Sequence, residues 1–208
     1  MRLLFTLLFG LMAGNIFGQV DPKPEISVMS GYMWGGKMNT VSGELKIADG
    51  PNLAVALDIP LPTGVTLELF YNRLDSELRF KGSRSGLATD TTFFQMSTNY
   101  IQIGGLSEFE TGTNLKPFGV LAVGTTIFSP KSNQYSDEWL FSISLGGGLK
   151  YYLSERIGLR LDGRFLFPLY LTGGGFFCGT GGCGAGIGSS PIVLQGFIDG
   201  GVILRLGQ

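Results

Sequence analysis

The chain has 208 residues, 34 of them glycine, with 15 basic and 16 acidic side chains, no histidine and a formal net charge of −1. Aromatics at 12% and apolar residues at 44% exclude a disordered chain, and the absence of a Lys/Arg run removes the electrostatic footprint of a nucleic-acid binder. Without histidine, neither a Ser/His/Asp arrangement nor an imidazole general base can be assembled.

The N-terminus carries Arg2, an apolar run from Leu3 to Ala13, and small or polar residues around Gly14, Gly18 and Gln19. A positive start, an apolar stretch well short of the ~20 residues of a spanning helix, and a small-residue zone predict a secretory signal peptide. Its expected span is 1–18, with cleavage after Gly18 and a single domain over 19–208. An uncleaved anchor is disfavoured because the run is too short to cross a bilayer. No later segment is long enough either, so any crossing must be made by strands, since hydrocarbon tolerates only helices or closed barrels.

Alternating runs between turn signals predict eight strands. The first, about 25–34, aligns Ile26, Val28, Tyr32 and Trp34. The second, about 43–59, sets Leu53, Val55, Leu57 and Ile59 against Ala54, Ala56 and Asp58, and stops at Pro60, Pro62 and Gly64. The third sets Val65, Leu67, Leu69 and Tyr71 against Thr66, Glu68 and Asn72, and a polar, charged excursion is expected over about 75–91. The fourth, about 92–109, sets Phe94, Met96, Thr98 and Tyr100 against Gln95, Ser97 and Asn99. A short link through Gly112 and Asn114 leads to the fifth, about 117–128, which a loop with Pro130, Ser132, Asn133 and Asp137 separates from the sixth.

The sixth and seventh strands fill 139–167 around the tiny turn Ser154, Glu155, Arg156. Trp139, Phe141, Ile143, Leu145, Leu149 and Tyr151 share one face, and Ser142, Ser144, Gly146, Gly148 and Lys150 the other. Across the turn, Ile157, Leu159, Leu161, Phe165 and Phe167 oppose Arg160, Asp162 and Arg164. A Gly/Cys-rich loop is expected over about 173–190. The eighth strand, about 192–206, sets Ile192, Leu194, Ile198, Val202, Leu204 and Leu206 against Gln195, Asp199 and Arg205.

Connections after the second, fourth and sixth strands are short, and those after the first, third, fifth and seventh are longer and more polar. One fatty and one charged face, with that alternation of loops, predicts an all-β fold: an eight-stranded antiparallel up-and-down transmembrane β-barrel with lipid outside and polar groups within. The expected location is the bacterial outer membrane, with membrane lipid as the first partner. Closure removes exposed sheet edges, so a monomer is expected.

The segment Gly146, Gly147, Gly148, Leu149, Lys150, Tyr151, Tyr152, Leu153, Ser154, Glu155, Arg156, Ile157, Gly158, Leu159, Arg160 resembles the penultimate hairpin of the small bacterial outer-membrane barrels of the OmpA-like and OmpX-like family. Phe177, Cys178, Gly179, Thr180, Gly181, Gly182, Cys183, Gly184 is similar to an outer loop of such barrels. The resemblance covers the mature chain and implies architecture rather than activity. The chain departs from the pattern at Arg205, Leu206, Gly207, Gln208, where such barrels usually carry a terminal aromatic residue that aids insertion.

Chemistry-bearing residues are few. Glu68, Asp162 and Asp199 are the carboxylates that could act together in catalysis with a perturbed pKa, but their expected role is to pair with Lys150, Arg160, Arg164 and Arg205, with Gln195 also in the lumen, as a polar cluster, because buried charges need partners. Cys178 and Cys183 are expected to form a disulfide in the oxidising compartment of an exported protein. Two thiolates without histidine leave a zinc shell half empty, and the Gly-rich stretches lack the Lys-Ser/Thr and helix of a phosphate loop, so no metal or cofactor is expected. Trp34, Tyr71, Trp139, Tyr151 and Tyr152 fit the water–lipid boundary, where amphipathic rings collect.

These readings give a non-enzymatic barrel with a side-chain-filled lumen, structural or surface-binding through loops that meet extracellular ligands or other outer-membrane proteins. The alternatives are a narrow, porin-like channel or lateral pathway for small, apolar solutes, an accessory subunit of an outer-membrane complex, and a secreted soluble barrel with its apolar face turned inward.

Overall fold

The computed structural model describes residues 23–40, 43–82, 90–131, 136–169, 171–179, 182–189 and 194–207. The expected leader, the loop residues Ser132 and Asn133, and Ile192 lie outside them. The strands are β1 (Glu25–Trp34), β2 (Lys37–Thr40), β3 (Gly43–Ile47), β4 (Gly50–Pro60), β5 (Thr66–Gly82), β6 (Asp90–Glu108), β7 (Leu115–Pro130), β8 (Glu138–Tyr152), β9 (Ile157–Leu169), β10 (Leu171–Gly179), β11 (Gly182–Ser189) and β12 (Gln195–Arg205).

Eight of them, β1, β4, β5, β6, β7, β8, β9 and β12, close an antiparallel barrel in which each strand pairs with the next. The seam is β1 against β12, running from Glu25↔Arg205 to Trp34↔Gly196. Full closure leaves these strands no free edge, which is what prevents edge-to-edge association in an all-β chain. Three tight turns lie at one end. Pro60 is the last residue of the β4 ladder, opposite Thr66, Pro62 lies in the turn beyond it, and Gly64 supplies a positive φ of 82° while its amide donates to the Leu61 carbonyl at 3.1 Å. Gly112 plays the same part in the second turn, and Leu153 N–H donates to Ile157 O in the third.

Burial alternates along the wall with the period of a pleated strand. On β9 the outward Leu159 and Leu161 are 46% and 50% exposed, whereas the inward Arg160 and Arg164 are each 2% exposed. The same parity turns Val28, Leu53, Ile101, Leu121, Leu145, Ile198 and Val202 outward. On β8 the outward set runs from Trp139 to Tyr151, which at the usual strand rise and barrel tilt spans on the order of 30 Å, a bilayer's hydrocarbon thickness.

Four expectations are corrected. The stretch 75–91 is largely strand: β5 runs to Gly82 and β6 starts at Asp90, with Asp75↔Ser97 and Glu77↔Gln95 in register. Its charges alternate with Leu74, Ser76 and Leu78, so they mark the water-facing side of a wall rising past the apolar band; Arg73 pairs with Asp75 at 3.0 Å and Arg79 with Glu77 at 3.3 Å. The second strand is broken at Ala48 and Asp49, where Asp49 accepts from Gly35 N–H at 3.0 Å and Ala48 N–H donates to Glu77 O at 2.8 Å. The expected Gly/Cys loop is a hairpin, β10 with β11, a two-stranded sheet apart from the barrel. Finally, the fourth strand's apolar set faces inward: Met96 and Tyr100 are buried while Ile101 and Ile103 are exposed, because the loop end of the lumen is itself apolar.

That apolar section joins Met29, Met33, Ala54, Phe70, Leu74, Met96, Tyr100, Leu166 and Phe197, with Phe70 and Phe197 stacked at 5.7 Å between ring centres. Nearer the turns the lumen is ionic.

Candidate functional site

Side chains at alternate positions of six strands converge on the turn half of the lumen. Lys150 on β8 is fully buried and its Nζ reaches Glu25 at 3.0 Å, Asp58 at 2.8 Å and Glu108 at 2.7 Å, so one cation ties β1, β4 and β6 to β8. Arg160 contacts Asp58 at 3.0 Å, Glu68 at 2.6 Å and Asp162 at 2.8 Å. Arg164 holds Glu68 through both Nη atoms, at 2.6 and 2.9 Å, and Asp162 through Nε and Nη2, at 2.9 and 2.6 Å. These two-point contacts exploit the planar fork that distinguishes arginine from lysine.

Aromatic faces complete the surroundings of the guanidiniums: Arg160 lies 4.7 Å from the Phe118 ring centre and Arg164 4.0 Å from that of Phe70. Inward glycines give the long side chains room; a Cβ on Gly146 would lie 2.6 Å from Arg164 Cγ. Toward the turns, Arg205 bonds Glu25 at 2.8 Å and stacks 3.8 Å over Tyr152, and Lys116 reaches Glu108 at 3.7 Å.

Of the residues expected in the polar cluster, the structure brings Glu68, Lys150, Arg160, Asp162 and Arg164 into one network, linked through Asp58. Gln195 and Asp199 are buried in the same lumen but sit apart from it. Tyr100 O–H donates to Gln195, whose Nε2 donates to the Gly35 carbonyl. Asn52 Nδ2 donates to Asp199 Oδ2 at 2.9 Å. A further neutral group joins Gln102 to Ser142 at 3.1 Å and Ser144 at 2.7 Å. Sequence reasoning missed Glu25, Asp58, Glu108 and Asn52 as members of the cluster. Parity was the available signal for Glu25 and Asp58, which alternate with outward Ile26, Leu57 and Ile59; Glu108 is identified by register alone.

Among the boundary aromatics, Trp34, Trp139 and Tyr151 are exposed on the outer wall near strand ends. Tyr71 lies within β5, where the outward positions change from Leu67 and Leu69 to Arg73 and Asp75, and its hydroxyl donates to Asn99 Oδ1 at 2.9 Å. Tyr152 departs from the expectation. Successive residues of a strand face opposite ways, so with Tyr151 outward Tyr152 is buried inside, donating to Glu25 at 2.8 Å. In the β10–β11 hairpin, the register sets Cys178 opposite Cys183.

The barrel is similar to several solved structures. The Neisserial surface protein A (NspA) superposes with a TM-score of 0.57 at 12% identity, covering 88% of this chain and 97% of that one. The outer membrane protein OprG from Pseudomonas aeruginosa gives 0.56 at 13% identity, covering 90% and 98%. The outer membrane protein AlkL, solved by solid-state NMR in DMPC lipid bilayers, gives 0.50 at 13% identity, covering 95% and 98%. No family model matches the chain, and no curated protein matches its sequence. At these identities the likeness carries the fold, which is that of the small eight-stranded outer-membrane barrels.

Proposed function

We propose that the chain is an exported, integral outer-membrane barrel without enzymatic activity, whose filled lumen makes it a structural or surface-binding protein working through its outward loops. One observation carries this reading. The section of lumen a solute would have to cross is occupied by Lys150, Arg160, Arg164, Glu68 and Asp162, all within 2% of complete burial; the two arginines are bonded to Glu68 and Asp162, and Lys150 joins them through Asp58. An aqueous channel leaves its lining accessible, whereas eight strands enclose a space that side chains can fill. The same pairing speaks against catalysis by these carboxylates, whose oxygens are taken up by guanidinium and ammonium groups.

Binding would fall to the loop end, where the wall formed by β5 and β6 rises past the apolar band with Arg73, Asp75, Glu77 and Arg79 on its outer face. The β10–β11 hairpin is the second candidate element there. Its 19 residues from Leu171 to Ser189 include no charged side chain, and a disulfide between Cys178 and Cys183 would hold its strands together.

Planar-bilayer recording on the purified protein tests the reading. The expected result is no steady conductance in molar KCl; a stable ohmic conductance would overturn it. A second reading, a pathway for small apolar solutes, is favoured by the apolar lining at the loop end, where Met33, Leu74, Met96 and Leu166 replace charges. Uptake of an apolar tracer by proteoliposomes, without ion conductance, is the result that would favour it.

A further inference from the structure

Toward the loop end the outer wall changes character around its circumference. On β8 and β9 the outward positions there are rings, Trp139, Phe141, Phe165 and Phe167. Strands β5, β6 and β7 differ. Their outward positions pass from the exposed Leu69, Ile101 and Val123 to Tyr71 and Arg73, to Asn99, and to Ser129 with Lys131 just past the strand.

Two of these cations converge on one oxygen. Arg73 Nη2 lies 3.0 Å and Lys131 Nζ 3.3 Å from Asp75 Oδ1, and Arg73 Nε donates to Asp75 Oδ2 at 3.1 Å. The sheet builds this convergence. Asp75, Ser97 and Ser129 lie in one row across three strands, and the Lys131–Asp75 pair spans Ser97, which is buried although it faces outward. Lys131 is held in place by its amide, which donates to Gln95 O at 2.8 Å. Asn99 stands opposite Arg73 in the ladder; its Oδ1 accepts from Tyr71 O–H at 2.9 Å, which leaves its Nδ2 as a third donor. Of the other acids of this rim, Glu77 is taken by Arg79 at 3.3 Å, and Asp137 makes no ion pair among the described residues. Two bases therefore share one carboxylate, and Asp75 Oδ1 marks a position where an oxyanion meets both. Asp75 is itself 51% exposed, and exposed pairs contribute about 0–1 kcal/mol, so exchanging its carboxylate for another oxyanion costs little. A phosphate offers more charge and more acceptor oxygens than a carboxylate.

We propose that this patch seats the phosphate of a phosphorylated lipid of the outer leaflet. Arg73 and Lys131 form the clamp and Asn99 adds a donor, while the acyl chains of the same molecule lie along Leu69, Ile101 and Val123. Continuity of the patch with the apolar wall favours a lipid over a free anion, because one molecule meets both surfaces at once. The inference rests on the reading of the chain as an outer-membrane barrel with its long loops outward.

Native mass spectrometry of the mature protein released from detergent is the test, with phosphorylated lipid A as the probe and dephosphorylated lipid A as its reference. The phosphorylated form should bind about tenfold more tightly, and Arg73→Gln combined with Lys131→Gln should remove that advantage. Asp75→Asn should strengthen binding, since it removes the competing carboxylate; a merely structural ion pair predicts no such gain. Arg156→Gln, at the exposed turn of the opposite end, should leave binding unchanged. Heat-modifiable mobility reports that each variant is folded. Equal binding of the two lipids, equal binding by all folded variants, weaker binding by Asp75→Asn, or displacement of the lipid by millimolar inorganic phosphate would each overturn the proposal and leave the barrel reading standing. A mature protein that stays monodisperse without detergent would overturn the membrane reading and the proposal with it.

Discussion

Replacing Lys150 by methionine removes the cation that joins four strands while keeping the length of the side chain. In the folded barrel its ammonium lies within 3.0 Å of three carboxylates, and none of them is left wholly without a base: Glu25 keeps Arg205, Asp58 keeps Arg160 and Glu108 keeps Lys116. The three acids nonetheless face each other across a thioether with one positive charge fewer. Removing one member of a buried ion pair typically costs about 3–5 kcal/mol. With a urea dependence of about 2 kcal/mol per molar, the unfolding midpoint should fall by roughly 2 M. The assay is equilibrium unfolding in detergent or lipid, followed by the gel-mobility shift and tryptophan emission. Arg73→Met is the control, because Arg73 and Asp75 form an exposed pair on the outer wall, where ion pairs contribute about 0–1 kcal/mol. If Lys150→Met and Arg73→Met shift the midpoint equally, the network does not organise the lumen.

Gly31→Ala should destabilise the barrel by about 1–3 kcal/mol, since its Cβ would meet Asp199 Oδ1 and the β12 backbone at the closing seam; a midpoint equal to that of the unaltered protein would show that the seam is looser than described. With Cys178 and Cys183 joined by the proposed disulfide, its reduction should open the β10–β11 hairpin to proteases while the barrel keeps its heat-modifiable mobility. Loss of the folded band on reduction would place the cysteines in the barrel's own stability.

The parts of the fold legible in the sequence are those where the two faces differ in kind. On β8 and β9 leucine and phenylalanine alternate with serine, glycine, lysine, arginine and aspartate, so parity alone orients both strands, and Arg160, Asp162 and Arg164 follow as inward residues. Strand β6 resists the same reasoning, because Met96 and Tyr100 are apolar and yet inward. Its polar positions Gln95 and Asn99 lie outward beyond the lipid band, so hydrophobicity there reports height along the axis as well as side. The charges of 75–81 misled for the same reason, since a strand that leaves the membrane keeps its ladder and exchanges leucine for ion pairs on its outer face.

Partnership within the lumen is a different matter. That Lys150 meets Glu25, Asp58 and Glu108 depends on the stagger of four strands, which alternation within one strand does not contain. Tyr152 shows the converse, since its inward orientation was available from the parity of its neighbour Tyr151 and from nothing else.

Orientation of the wall underlies every step, and photolabelling from the lipid phase reads it most directly. A carbene generated on acyl chains in proteoliposomes, mapped by mass spectrometry, should modify Leu145, Leu159, Leu161 and Phe165 and spare Arg160, Asp162 and Arg164. Labels on the arginines with those outward residues untouched would contradict the account.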